Sequence, residues 1–176
     1  MRLVITLLLL LAQPIALADA LSGRVVRVTD GDTIVVLDAS NTQHKIRLQG
    51  IDAPERGQTF GTKSKEHLSD LVAGKTVAVD YSKRDRYQRI VGKVLLDGKD
   101  MNLVQVQDGM AWHYKKYKDE QTTDDRIAYS DAELDARRHK RGLWVDGNPI
   151  PPWEYRKAKR QQMKDMESFT DKSKAR

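Results

Sequence analysis

K-I-R-L-Q-G-I-D-A-P-E-R, residues 45–56, is the stretch on which the reading of this chain turns. Ile46 and Leu48 alternate with Lys45, Arg47 and Gln49, the two-residue period of a strand that buries one face and presents Arg47 on the other. The strand ends at Gly50. Beyond it Pro54 fixes its own φ and biases Ala53 toward extended backbone, so the turn carrying Asp52 and Glu55 is stiff. An arginine and two carboxylates therefore meet at one strand end. Such a set serves phosphoryl chemistry, where a hard cation takes oxygen ligands and a guanidinium grips phosphate oxygens in a fork. It also serves an ordinary solvated turn, since Asp, Gly and Pro are common turn formers. The rest of the chain decides between them.

On the N-terminal side, Ser22 to Val28 and Thr33 to Leu37 read as two strands joined by a hairpin turn at Asp30-Gly31, with Asp32 opening the second strand. His44 to Gln49 is the third, so the three make a meander. On the C-terminal side, Phe60, Leu68, Leu71 and Val72 fall on one helical face, and Gly74 stands where a C-terminal cap belongs. Lys75 to Tyr81 and Arg89 to Leu96 are strands four and five, separated by the polar loop S-K-R-D-R-Y-Q. Asp100 can cap a helix over Met101 to Asp108, and Thr122 or Thr123 a longer one reaching about Arg141. Five short strands with a helix between the third and fourth suggest a small closed sheet of the OB type, although strand counting also permits other barrels.

At 176 residues and 39% hydrophobic composition, the chain suits one domain with tails. The expected division is an export signal at 1–20, a folded domain at 21–153 and a basic tail at 154–176. Met1 to Ala20 carries Arg2, an apolar run from Leu3 to Ala12, and small residues that offer cleavage after Ala18 or Ala20. Gln13 and Pro14 interrupt that run before the roughly 20 apolar residues a spanning helix needs. The expected location is therefore periplasmic or secreted. Cysteine is absent, so no disulfide supports the core.

The net charge is +6, yet Glu154 to Arg176 holds eight Lys or Arg against four Asp or Glu, which leaves the body nearly neutral. Any grip on a polyanion must come from locally placed arginines assisted by the tail, rather than from a uniformly basic surface. The P-I-P-P run at 149–152 ends the domain, and the charged segment beyond it reads as a frayed helix or a mobile tail. The four histidines show no zinc-ligand spacing, and there is no Gly-rich phosphate loop.

Three motifs carry a resemblance. D-G-D-T at 30–33, R-L-Q-G-I-D-A-P-E at 47–55 and D-R-Y-Q-R at 85–89 resemble, in the same order, the active-site motifs of the staphylococcal nuclease (thermonuclease) family, over roughly Ser22 to Trp144. One such motif is weak; three at compatible strand ends are specific. The resemblance implies an α+β, mainly β fold, a five-stranded OB-fold barrel with three α-helices. It implies a calcium-dependent phosphodiesterase that cuts DNA and RNA to leave 3′-phosphates. By motif position, Asp32 and Asp52 would bind Ca2+ through carboxylates and Ala53 through its backbone carbonyl. Glu55 would be the candidate general base, and Arg47 and Arg89 would hold phosphate oxygens.

Tyr114 and Tyr117 lie near the family's nucleotide-contacting tyrosines. Tyr87 and Arg86, just before Arg89, are further candidates for substrate binding, with covering of the barrel end or a solvated loop as the plainer roles. Two departures stand out: Ala53 replaces a frequent threonine, and Gln88 replaces a common glycine. A monomer acting on DNA and RNA is the expectation. The competing class is a non-catalytic OB module that binds nucleic acid or protein, which has no need of Asp32, Arg47, Asp52, Glu55 and Arg89 together. A third reading is a membrane-associated accessory protein held by an uncleaved leader.

Overall fold

Eight strands and four α-helices make up the described part of the molecule, residues 19–174 of a computed structural model. The export segment expected at 1–20 lies outside it, apart from Asp19 and Ala20, which open the first strand. The strands are β1 (Asp19–Asp30), β2 (Thr33–Asp38), β3 (Gln43–Leu48), β4 (Ile51–Asp52), β5 (Thr76–Arg84), β6 (Ile90–Leu96), β7 (Lys99–Asp100) and β8 (Trp112–His113). The helices are α1 (Gly61–Val72), α2 (Met101–Gln107), α3 (Thr123–Arg138) and α4 (Pro152–Lys174). No helix among the described residues is long and apolar enough to cross a membrane.

Five of these strands close a barrel. Antiparallel pairing runs β3-β2-β1-β5-β6, and a parallel pairing of β6 with β3, Ile46 opposite Ile90 and Arg47 opposite Val91, completes the ring. This is the OB-type closed sheet expected from the sequence. Each strand turns its apolar positions inward: Ile34 and Val36, Ile46 and Leu48, Val77 and Val79, and Ile90 and Val94 are all buried. Burying one such side chain contributes about 1.5–3 kcal/mol, so the alternating pattern fixes which face of every strand looks in. Gly92 lies at a tight point of the wall, where a Cβ would sit 2.7 Å from the Val79 side chain and 2.8 Å from the Asp80 carbonyl oxygen.

Leu68 and Val72 of α1, Val104 and Val106 of α2 and Tyr129 of α3 complete this core. Asp100 caps α2 as expected, accepting from the backbone N–H of Asn102 and Leu103, and Thr122 caps α3 through the Asp125 N–H. A second, smaller cluster of Trp112, Ala136, Leu143 and Trp144 packs with Phe60 and Trp153. There Trp112 and Trp144 meet edge to face at 5.3 Å.

Differences from the sequence expectation concentrate at element ends. β1 extends to both sides of Ser22–Val28, and β5 continues to Arg84 because β6 pairs with it along that extension. Asp32 belongs to the turn, since β2 begins at Thr33 opposite Asp30. α3 ends at Arg138, with Arg141 held by its own hydrogen bond to the Gln107 carbonyl at 2.7 Å. The segment expected as a frayed helix or tail is α4, whose start at Pro152 follows the N-terminal preference of proline. Its first turn is seated on the body through Trp153.

Candidate active site

Asp32 and Asp52 are brought together by pairings of their own backbones with distant segments. The Leu48 N–H donates to the Asp32 carbonyl at 2.9 Å, which ties the β1–β2 turn to the end of β3. The short β4 pairs with β8, Asp52 opposite Trp112, and pins the turn after Gly50 against the aromatic cluster. The Ala53 N–H then donates to Asp32 Oδ2 at 2.8 Å. Asp32 is 6% exposed and Asp52 fully buried, so two carboxylates sit side by side with little water around them.

Arg47 compensates them. Its Nη2 donates to Asp52 Oδ1 at 2.8 Å and its Nη1 forms an ion pair with Asp32 Oδ2, so one guanidinium spans both acids. The planar fork suits such a double contact in a way that a lysine ammonium does not. Burial pushes the Arg47 pKa down, the Asp52 charge opposes that, and the nearby Arg89 charge adds to it. In the register Arg47 pairs with Val91, and Arg89 stands immediately before β6, next to Ile90.

Arg89 itself is held by Asp85, with Nε and Nη2 both 2.7 Å from Oδ2. The other carboxylate oxygen of Asp85 accepts the Tyr87 and Arg89 N–H groups at 2.9 and 3.0 Å. Burial alone would raise the Asp85 pKa, but these bonds from Arg89 and the backbone outweigh it and hold the carboxyl below its ordinary value. Gln88, in the place of the family's glycine, adopts φ 61°, the left-handed region that glycine enters without cost, so the loop keeps its turn at some strain.

Glu55 stands at the mouth, 38% exposed on its side chain, with its N–H donating to Gln58 Oε1 at 3.0 Å. Asp32, Arg47, Asp52, Ala53 and Glu55 thus form one constellation, with Arg89 beside it on its own carboxylate. Ala53 meets Asp32 through its amide; its carbonyl accepts no hydrogen bond from the described residues.

The aromatic candidates lie around this centre in separate settings. Tyr87 is 64% exposed between the guanidinium groups of Arg86 and Arg89, 4.8 and 5.6 Å from its ring. Arg86 Nη2 also donates to the Tyr87 hydroxyl at 2.7 Å. Tyr117 lies between Lys83 and Lys116, each 5.7 Å from its ring. Tyr114 packs edge-on to Tyr117 and stacks on Trp153 at 5.4 Å. One face of Tyr114 is therefore already taken by protein.

The donor set fits a hard divalent cation. Two buried carboxylates converge where one guanidinium touches both, and all their donor atoms are oxygen. Among the described residues, no three His, Cys, Asp or Glu side chains surround a common point, so a cation held by Asp32 and Asp52 needs a carbonyl, water or substrate oxygen as well.

Sequence reasoning missed two residues here. Asp85 opens the D-R-Y-Q-R motif, and its spacing of four from Arg89 is the signal that pairs them. Arg156 of α4 gave no local signal: its Nη2 donates to Asp52 Oδ2 at 2.7 Å and its Nη1 to Glu55 Oε1 at 2.6 Å.

Comparison with known proteins agrees with this geometry. Residues 45–146 match the family model described as "Staphylococcal nuclease homologue", a span that includes Arg47, Asp52, Glu55 and Arg89 and begins after Asp32. An Escherichia coli protein named "Uncharacterized endonuclease" is 47% identical over 153 residues, covering 86% of this chain and 95% of its own length. A Haemophilus influenzae protein of the same name is 45% identical over 134 residues, covering 76% and 72%. The "Micrococcal nuclease" of Shigella flexneri is 40% identical over 145 residues, covering 77% of this chain and 80% of itself. The chain belongs to the staphylococcal nuclease family, and it is a nuclease.

Proposed function

We propose that this member of the staphylococcal nuclease family is an exported, calcium-dependent endonuclease that hydrolyses DNA and RNA with low sequence specificity and leaves 3′-phosphates. The observation that carries the reading is the convergence of Asp32, Arg47, Asp52 and Glu55 at one barrel end, with Arg89 leading into the strand that pairs with Arg47. Asp32 and Asp52 would hold the cation through their carboxylates, and Ala53 through its carbonyl. When bound, the cation supplies positive charge against the phosphate and a place for water.

The remaining steps fall to this chain's own side chains. Glu55, at the mouth, accepts a proton as a water oxygen bonds to phosphorus. The bond from phosphorus to the 5′ oxygen breaks, that oxygen is protonated by solvent, and the phosphate remains on the 3′ side. Arg47, fixed by Asp32 and Asp52, and Arg89, fixed by Asp85, meet the charge that develops on the non-bridging oxygens. Tyr87 and Arg86 at the exposed rim, with Tyr114 and Tyr117 beyond, offer faces and charges to adjoining nucleotides. The protein acts as a monomer in the periplasm or the medium.

Digestion of single-stranded DNA with Ca2+ and with chelator, followed by end-group analysis, tests this. Cleavage only with Ca2+ and ends that phosphatase converts to extendable 3′-hydroxyls are expected. Full activity in chelator, or 3′-hydroxyl products, would overturn it. N-terminal sequencing of the exported protein should find Asp19 or Leu21 first.

A further inference from the structure

The first turn of α4 brings a third guanidinium to the site. Arg156 Nη2 donates to Asp52 Oδ2 at 2.7 Å, while its Nη1 donates to Asp52 Oδ1 at 3.2 Å and to Glu55 Oε1 at 2.6 Å. The contact is built, because the turn that carries it is seated twice. Trp153 stacks on Tyr114 at 5.4 Å and meets Trp112 at 6.4 Å, and Gln58 Nε2 donates to the Ile150 carbonyl at 2.6 Å. The same Gln58 receives the Glu55 N–H, so the loop bearing Glu55 and the start of α4 are fastened through one side chain. Burial alone would lower the Arg156 pKa, yet Asp52 and Glu55 raise it above the ordinary guanidinium value.

Resting on the divalent-cation reading above, we propose that Arg156 is a further residue of the active site that competes with the cation for Asp52 and covers Glu55 until the cation binds. Asp52 is fully buried, and both of its oxygens are already in contact with guanidinium groups. Its Oδ1 is engaged by Arg47 and its Oδ2 by Arg156. A cation held by this carboxylate would sit next to the Arg156 guanidinium, and two positive groups so close repel each other. Arg156 therefore gives way as the cation arrives, and its departure also clears the Glu55 oxygen that a water must reach. A merely structural strut would remain in place whether or not the cation was bound.

Calcium titration by calorimetry on the full chain separates these cases, using wild type, Arg156→Gln and Lys164→Gln. The two substitutions remove the same charge, but Lys164 lies on the exposed run of α4, so it reports the general electrostatic effect. R156Q should bind Ca2+ about tenfold more tightly than K164Q, as expected when a charge-assisted contact need no longer be broken. Equal affinity in the two variants, or weaker binding by R156Q, overturns the competition. Absence of Ca2+ binding by all three proteins overturns the cation reading itself. If R156Q melts early, Arg156→Lys keeps the charge without the fork that spans Asp52 and Glu55. It should then bind more tightly than wild type, and equality with wild type would again refute the proposal.

Discussion

Asp32 and Ala53, 21 positions apart, are joined by a 2.8 Å hydrogen bond from the Ala53 amide to the Asp32 carboxylate. That bond locks the β1–β2 turn onto the turn after β3, and the two carboxylates that Arg47 spans stay together only while these turns do.

Gly31 makes this approach possible. A Cβ there would lie 1.9 Å from Ser64 Oγ and 2.8 Å from the Ala53 Cβ, with Ser64 itself buried on α1. Gly31→Ala should cost about 1–3 kcal/mol through overpacking. It should also reduce nuclease turnover by displacing Asp32. Denaturant unfolding together with DNA cleavage checks both; an unchanged midpoint would mean that the turn has room to shift.

Arg47→Lys tests the fork that spans Asp32 and Asp52. The charge is kept, yet one ammonium cannot reproduce both contacts, and the catalytic rate should fall about 10²- to 10³-fold. Single-turnover cleavage of DNA, with circular dichroism to confirm the barrel, is the measurement.

Glu55→Gln should lose about 10²- to 10⁴-fold in rate if the carboxylate acts as general base. Because Glu55 is partly exposed, the fold should survive the change. A folded variant with wild-type turnover would remove Glu55 from the chemistry.

His113 sets a pH dependence of stability. Burial holds its pKa below the ordinary 6.5, although the bond to Gln121 at 2.9 Å opposes this. The unfolded chain then binds a proton below pH 6.5 that the folded protein resists, so stability is fully present above that value and is lost as pH falls toward the depressed one. Unfolding midpoints at pH 7.5 and 5.5 should differ more in wild type than in His113→Asn. Equal pH slopes would show that His113 does not carry the effect.

Most of the barrel was legible because its signals are local. Alternation placed Ile46 and Leu48 inward, Asp100 and Thr122 announced the helices they cap, and three short motifs marked the strand ends that meet at the site. Ends were less legible, since β5 extends to Arg84 only where β6 is available to pair with it.

The sequence by itself determined which faces of the strands are buried and which residue types gather at the end of β3, because backbone sterics and side-chain period act over a few residues. Only the tertiary structure decided that the strand bearing Arg47 runs beside the one that Arg89 leads into, through the parallel closure of β3 on β6, and that Arg156 reaches Asp52 from 104 residues away. Both depend on the closed barrel and on the aromatic seat of α4. Contacts of that range leave no periodic or spacing signal in the chain that makes them.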